Sequence, residues 1–175
     1  MNKFLLLFIC IAYACSSLSA AGKQILEEWP NKKAKRVFEG QMGNYLVIAG
    51  YFEDGKKRLI MKLEKKDSKN YLAKATSYNP DGSELCNIKD GNGELKVLFG
   101  NGQVEYVETY KNGRLEGETT YWWDNGVLSM TGSYKEGNKH GIWKVYDKEG
   151  EEEVVYYFID GKEVKEQEWL ENQNK

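Results

Sequence analysis

Residues Asp124 to Tyr146 read DNGVLSMTGSYKEGNKHGIWKVY, and this stretch decides the fold. Asn125-Gly126 and Glu136-Gly137 are turn signals, because glycine takes the positive φ that a tight hairpin turn demands. Between them the chain alternates: Leu128, Met130, Gly132 and Tyr134 fall on one face, and Val127, Ser129, Thr131 and Ser133 on the other. A turn, an alternating strand and a second turn make a β-hairpin.

The hairpin recurs. Gly102, Gly126 and Gly150 are 24 residues apart, as are Gly113, Gly137 and Gly161, and Tyr110, Tyr134 and Phe158 keep the same step. Gly117 with Gly141 and Trp122 with Tyr146 add two further columns in register. Upstream, a shorter copy of 20 residues runs from Asp81-Gly82 through Lys89-Asp90-Gly91 to Gly102. Gly50 to Lys56 (GYFEDGK) resembles Gly132 to Asn138 (GSYKEGN), so a degenerate unit covers the N-terminal region. Stacking aligns an apolar column of Tyr106, Met130 and Val154 with an aromatic column of Tyr110, Tyr134 and Phe158, so each unit buries its face against its neighbours. One unit alone would not hold, because an isolated two-stranded hairpin is marginal in water.

The predicted fold class is therefore all-β: a repeat-built meander of antiparallel hairpins forming an elongated, twisted sheet. Residues 100–162 carry the clear repeats and 37–99 the degenerate hairpins. Residues 163–175 lose the glycines and cap the last hairpin as a short helix or tail, and 21–36, with Pro30 and a lysine-rich run, form a linker or first cap. Composition agrees: 18 Gly, 12 Tyr and 5 Trp against only 2 Pro suit strands joined by tight turns.

The first 20 residues read as a leader. Lys3 precedes the apolar run Phe4 to Ala12, too short to span a bilayer but matched to the apolar core of a secretory signal. Ala12-Tyr13-Ala14 before Cys15 fits a small-x-small cleavage site and also a loose lipoprotein box, which makes Cys15 a candidate lipidation site. The chain is expected to be exported, as a periplasmic or membrane-anchored lipoprotein or, with a cut after Ala20 or Ala21, as a soluble secreted protein. Without residues 1–14, which hold Lys3 and no acid, 24 basic residues face 27 acidic ones, a formal charge of −3. That balance excludes attraction to nucleic acid by long-range electrostatics. Beyond the leader only Cys86 remains besides Cys15, so no intrachain disulfide framework is expected, and Cys86 reads as a small apolar filler.

Two segments, KNGRLEGETTYW at 111–122 and KEGNKHGIWKVY at 135–146, resemble the MORN-repeat-variant family of bacterial proteins, many of them labelled YwqK-like antitoxins. The likeness covers residues 100–162 firmly and 37–99 weakly. It implies a single-layer sheet of hairpins used for protein or membrane-lipid contacts, and a scaffold with no active site of its own. An export signal fits poorly with neutralising a cytosolic toxin.

Chemistry-bearing patterns are sparse. His140, the one histidine, lies in the turn Asn138-Lys139-His140-Gly141 with no orienting partner nearby in sequence. No phosphate-binding glycine loop, nucleophile elbow or zinc-ligand spacing occurs. Glu149, Glu151, Glu152 and Glu153 are the densest acidic run, but alternation sends neighbours to opposite faces, which favours a solvated edge over a cation site. No enzyme activity, cofactor or metal is expected.

The aromatic set Tyr121, Trp122, Trp123, Trp143, Tyr146, Tyr156 and Tyr157 is the surface candidate. From it Trp122, Trp123, Trp143 and Tyr146 are taken as the partner-binding residues. Trp122 and Trp123 are adjacent in a strand, so one of them should be exposed unless a bulge or a partner covers it. The expected function is an exported, non-catalytic module that binds an unidentified protein. A lipid-contacting module or an antitoxin-like neutralising protein is the alternative.

Overall fold

The computed structural model describes residues 23–28, 30 and 34–174; the leader, with Cys15, lies outside the described residues. The described chain is all-β. Thirteen strands follow one another, each antiparallel to the next within its sheet, and one short helix ends the chain. The first sheet holds β1 (Gln24–Glu28), β2 (Ala34–Met42), β3 (Tyr45–Tyr51), β4 (Lys57–Lys66), β5 (Lys69–Tyr78) and β6 (Glu84–Ile88). The second holds β7 (Gly93–Leu98), β8 (Val104–Lys111), β9 (Arg114–Trp122), β10 (Leu128–Lys135), β11 (Asn138–Tyr146), β12 (Glu152–Ile159) and β13 (Lys162–Val164). Helix α1 spans Glu166–Gln173, where the sequence places a cap. The meander thus divides into two sheets between β6 and β7, where a single layer was implied. Strand β1 is an edge strand in the stretch expected to be a linker or first cap.

The turns fall into two alternating sets, one along each edge. In the first set both central residues have positive φ, the type I′ geometry whose twist matches that of paired strands. These turns are Asp67-Ser68, Asp90-Gly91, Asn112-Gly113, Glu136-Gly137 and Asp160-Gly161. In the second set Phe52, Asn79, Phe99, Trp123 and Asp147 each accept a hydrogen bond from a glycine amide three residues on. Each of the same five residues also donates its own amide to the carbonyl four residues on. Asp54, Asp81, Asn101 and Asn125 stabilise these wider turns, each side chain accepting the backbone amide two residues later at 2.8 to 3.0 Å. The last copy has Glu149 at that position, and the carboxylate of Asp147 accepts the amides of Glu149 and Glu151 instead.

Gly117 and Gly141, the second glycine of each repeat, do not turn the chain. Both have positive φ and sit where the register of β8–β9 and β10–β11 slips, which marks them as β-bulges.

The main core lies between the two sheets. Phe38, Leu46, Ile48, Met61, Leu63, Leu72, Ala75 and Ile88 of the first pack with Leu95, Val97 and Tyr110 of the second. A backbone seam closes the junction. The Gly91 amide donates to Ala73 O, the Gly113 amide to Gly91 O, and the Leu72 amide to Gly113 O, each at 2.9 Å. Arg58 on β4 pins the sheets at the opposite edge, donating from Nε to Leu98 O at 2.8 Å and pairing with Glu105 of β8. A smaller aromatic core continues through the second sheet around Tyr121, Trp143 and Phe158.

Candidate interaction surface

The second sheet has a core face and an outward face, and alternation assigns its aromatic residues between them. On β9 Thr119 and Tyr121 are buried at 2% exposure, so Trp122 points to the outward face. On β11 Trp143 is buried, so Ile142, Lys144 and Tyr146 point outward. Leu128 on β10 is the register partner of Trp122. Trp122, Leu128 and Tyr146 therefore occupy one end of the outward face on three successive strands, and none of them belongs to either core cluster. Towards the other end, Ile142 is 39% exposed and opposes Tyr157, whose ring lies 5.6 Å from that of Trp169 on α1. Lys144 sits between the two apolar groups and is neutralised by Glu152 at 2.7 Å.

The four candidate aromatics do not share one role. Trp143 is 1% exposed and is the centre of the aromatic core, which removes it from the surface platform. Its indole lies flat against Gly132, its Nε1 donates to Ser133 O, and the rings of Tyr134 and Phe158 meet it edge-on. Trp123 follows the end of β9 and is anchored: its Nε1 donates to Tyr146 O at 3.0 Å and Asp147 O at 2.9 Å, tying one wide turn to the next. Both Trp122 and Trp123 are half-buried, so neither is fully exposed. Trp122 and Tyr146 remain on the outward face, where Leu128 and Ile142 join them. Sequence reasoning passed over those two aliphatic residues. Alternation from the core-facing Trp143 was the available signal for Ile142, whereas Leu128, expected on the face of Met130, pairs with Trp122 because the register slips between Leu128 and Met130, a bulge that no spacing in the sequence announces.

Tyrosines and one carboxylate gather on the opposite face. Glu108 of β8 accepts hydrogen bonds from Tyr121 Oη at 2.7 Å and Tyr110 Oη at 2.8 Å. Burial raises the Glu108 pKa, and the two phenol hydrogen bonds oppose that rise. The phenols of Tyr110 and Tyr121 are pushed up by burial and by the adjacent carboxylate. Lys139 lies 4.2 Å from the ring centre of Trp143 and 5.1 Å from that of Phe158, with its pKa lowered by burial. These groups face core rings and knit the aromatic cluster together.

Other sequence candidates fall at scattered positions. His140 Nδ1 is 3.7 Å from the exposed Asp160 carboxylate, beyond hydrogen-bond distance, so the turn supplies a neighbour without fixing the ring. Cys86 is half-buried, with Sγ 2.9 Å from Ser77 Oγ. Glu149, Glu151, Glu152 and Glu153 are all exposed, and among the described residues no group of three or more His, Cys, Asp or Glu side chains is placed to hold a metal ion. No described helix is long and apolar enough to cross a membrane. Comparison with known proteins found no match among family models, curated proteins or solved structures.

Proposed function

We propose that this chain is an exported, non-catalytic repeat module that binds a protein partner through the outward face of β9–β12. The observation that carries the proposal is the placement of Trp122 and Tyr146, one repeat apart on that face, with Leu128 between them and Ile142 further along β11. Amphipathic rings on a rigid sheet supply large contact area at little cost in side-chain entropy. The neutralised Lys144–Glu152 pair within the strip suits a partner with apolar side chains better than a charged surface. The MORN-variant likeness of residues 100–162 supports a scaffold for contacts, and the leader at residues 1–20 supports export.

The test places a photo-crosslinking amino acid at Ile142 in the chain's native host and compares the parent with Trp122→Ala/Tyr146→Ala. A discrete crosslinked protein that disappears in the double variant, whose circular dichroism stays that of the parent, is the expected outcome. An unchanged crosslinking pattern in a folded double variant would remove the outward face from the proposal.

A further inference from the structure

The first sheet carries a feature that the docking face of the second does not explain. Lys62 on β4 and Lys74 on β5 are direct register partners, two like charges facing each other across neighbouring strands. Lys89 extends the row, one residue beyond the register pair Ala75–Ile88 of β5 and β6. Like charges directly opposite one another destabilise a sheet. Some lysines outside this row do find carboxylates, as Lys35 does with Glu27, Lys56 with Asp54, Lys66 with Glu64 and Lys148 with Asp124. Among the described residues no carboxylate lies within ion-pair distance of Lys62, Lys74 or Lys89, in a chain whose formal charge is −2.

The three lysines line one open groove of about 300 Å³, together with Ile60, Thr76 and Asn87, and Asp90 also borders it. That volume lies at the lower end of the range for small-molecule sites. Ile60 offers an apolar contact, Thr76 a hydroxyl and Asn87 an amide. Lysine ammonium groups are compact point charges suited to phosphate oxygens.

We propose that this groove is a binding site for a small, soluble organic phosphate, whose phosphoryl oxygens bridge Lys62, Lys74 and Lys89 while its body rests on Ile60. A fold cost at the Lys62–Lys74 pair is then offset by the ligand, as is common where binding residues are kept against stability.

The test titrates the full chain with inorganic pyrophosphate at constant ionic strength, following backbone amide shifts by NMR. Saturable shifts confined to residues near 60–62, 74–76 and 87–90 are expected. Lys74→Glu turns the repelling pair into an attracting one, so its melting temperature should rise or hold while affinity falls by about tenfold or more. Lys65→Gln, a lysine outside the groove, should leave affinity unchanged. Lack of saturation, shifts spread over all exposed lysines, or undiminished affinity in folded Lys74→Glu would overturn the proposal. Binding to vesicles containing phosphatidic acid with no response to pyrophosphate would overturn it as well, by assigning the row to a lipid surface.

Discussion

Gly132 shows how one residue's lack of a side chain organises a core. It occupies the repeat position filled by Glu108 one unit earlier and Tyr156 one unit later, and it alone leaves room for an indole. A Cβ built there would lie 2.2 Å from Cδ2 of Trp143, a ring fixed by its own hydrogen bond and by two edge-on aromatic neighbours. Gly132→Ala should therefore destabilise the protein by about 1 to 3 kcal/mol through overpacking and redden the Trp143 emission, which urea unfolding followed by fluorescence measures. Glu108 illustrates a different residue-scale effect. Burial raises its folded-state pKa above the ordinary glutamate value, so the folded chain holds the proton more tightly than the unfolded one. The stability this contributes is complete below the unfolded pKa and is lost as pH rises through the folded value. Relative to Glu108→Gln, the parent should gain stability as pH falls from neutral towards about 4.5, a trend that urea midpoints at a series of pH values would show. A flat difference would mean that the carboxylate titrates alike in both states.

At the scale of the element, the turns were the most legible part of the sequence. Asn112-Gly113, Glu136-Gly137 and Asp160-Gly161 turn where their glycines indicate, with positive φ at both central residues. Less legible was the linkage between turns. On one edge the Gly137 amide donates to Leu115 O and the Gly161 amide to Lys139 O, so each hairpin is hydrogen-bonded to the one a repeat earlier. On the other edge the Asn101 amide group donates to Asp124 O and that of Asn125 to Lys148 O. Each Asn thus works twice, with Oδ1 bracing its own turn and Nδ2 reaching the next. Asp54 and Asp81, which brace turns in the first sheet, lack the amide donor. Asn125→Asp keeps the acceptor and removes the reach, and should cost about 1 kcal/mol; Asn125→Ala removes both and should cost more. Equal losses from the two variants in thermal melts would show that the inter-turn bond contributes nothing.

At the scale of the whole molecule the sequence pattern ran out. Asp90-Gly91 signals a hairpin like any other and does take up type I′ geometry, yet the backbone pairing next to this turn is reduced to the isolated bridge Lys89–Asn92, and β6 and β7 form no ladder. At this turn residues far apart in the chain meet: a Cβ on Gly91 would lie 2.5 Å from Leu72 O and 2.6 Å from Gly113 N. Periodicity sees each glycine alone and cannot report that two of them must meet. The outward face of the second sheet was half legible for a related reason, since alternation separates the faces but does not say which aromatic fills the core. The consequence of the shared core is cooperativity. Phe38 belongs to the first sheet and is fully buried against a cluster that includes Leu95, Val97 and Tyr110 of the second. Of the five tryptophans, Trp122, Trp123, Trp143 and Trp169 lie in or beside the second sheet. Phe38→Ala should cost about 3 to 5 kcal/mol, and because the core is common the tryptophan transition should move to lower denaturant together with the far-ultraviolet one. If the sheets were independent, the variant would split the curve, leaving the tryptophan midpoint at its parental position while the circular dichroism signal fell early.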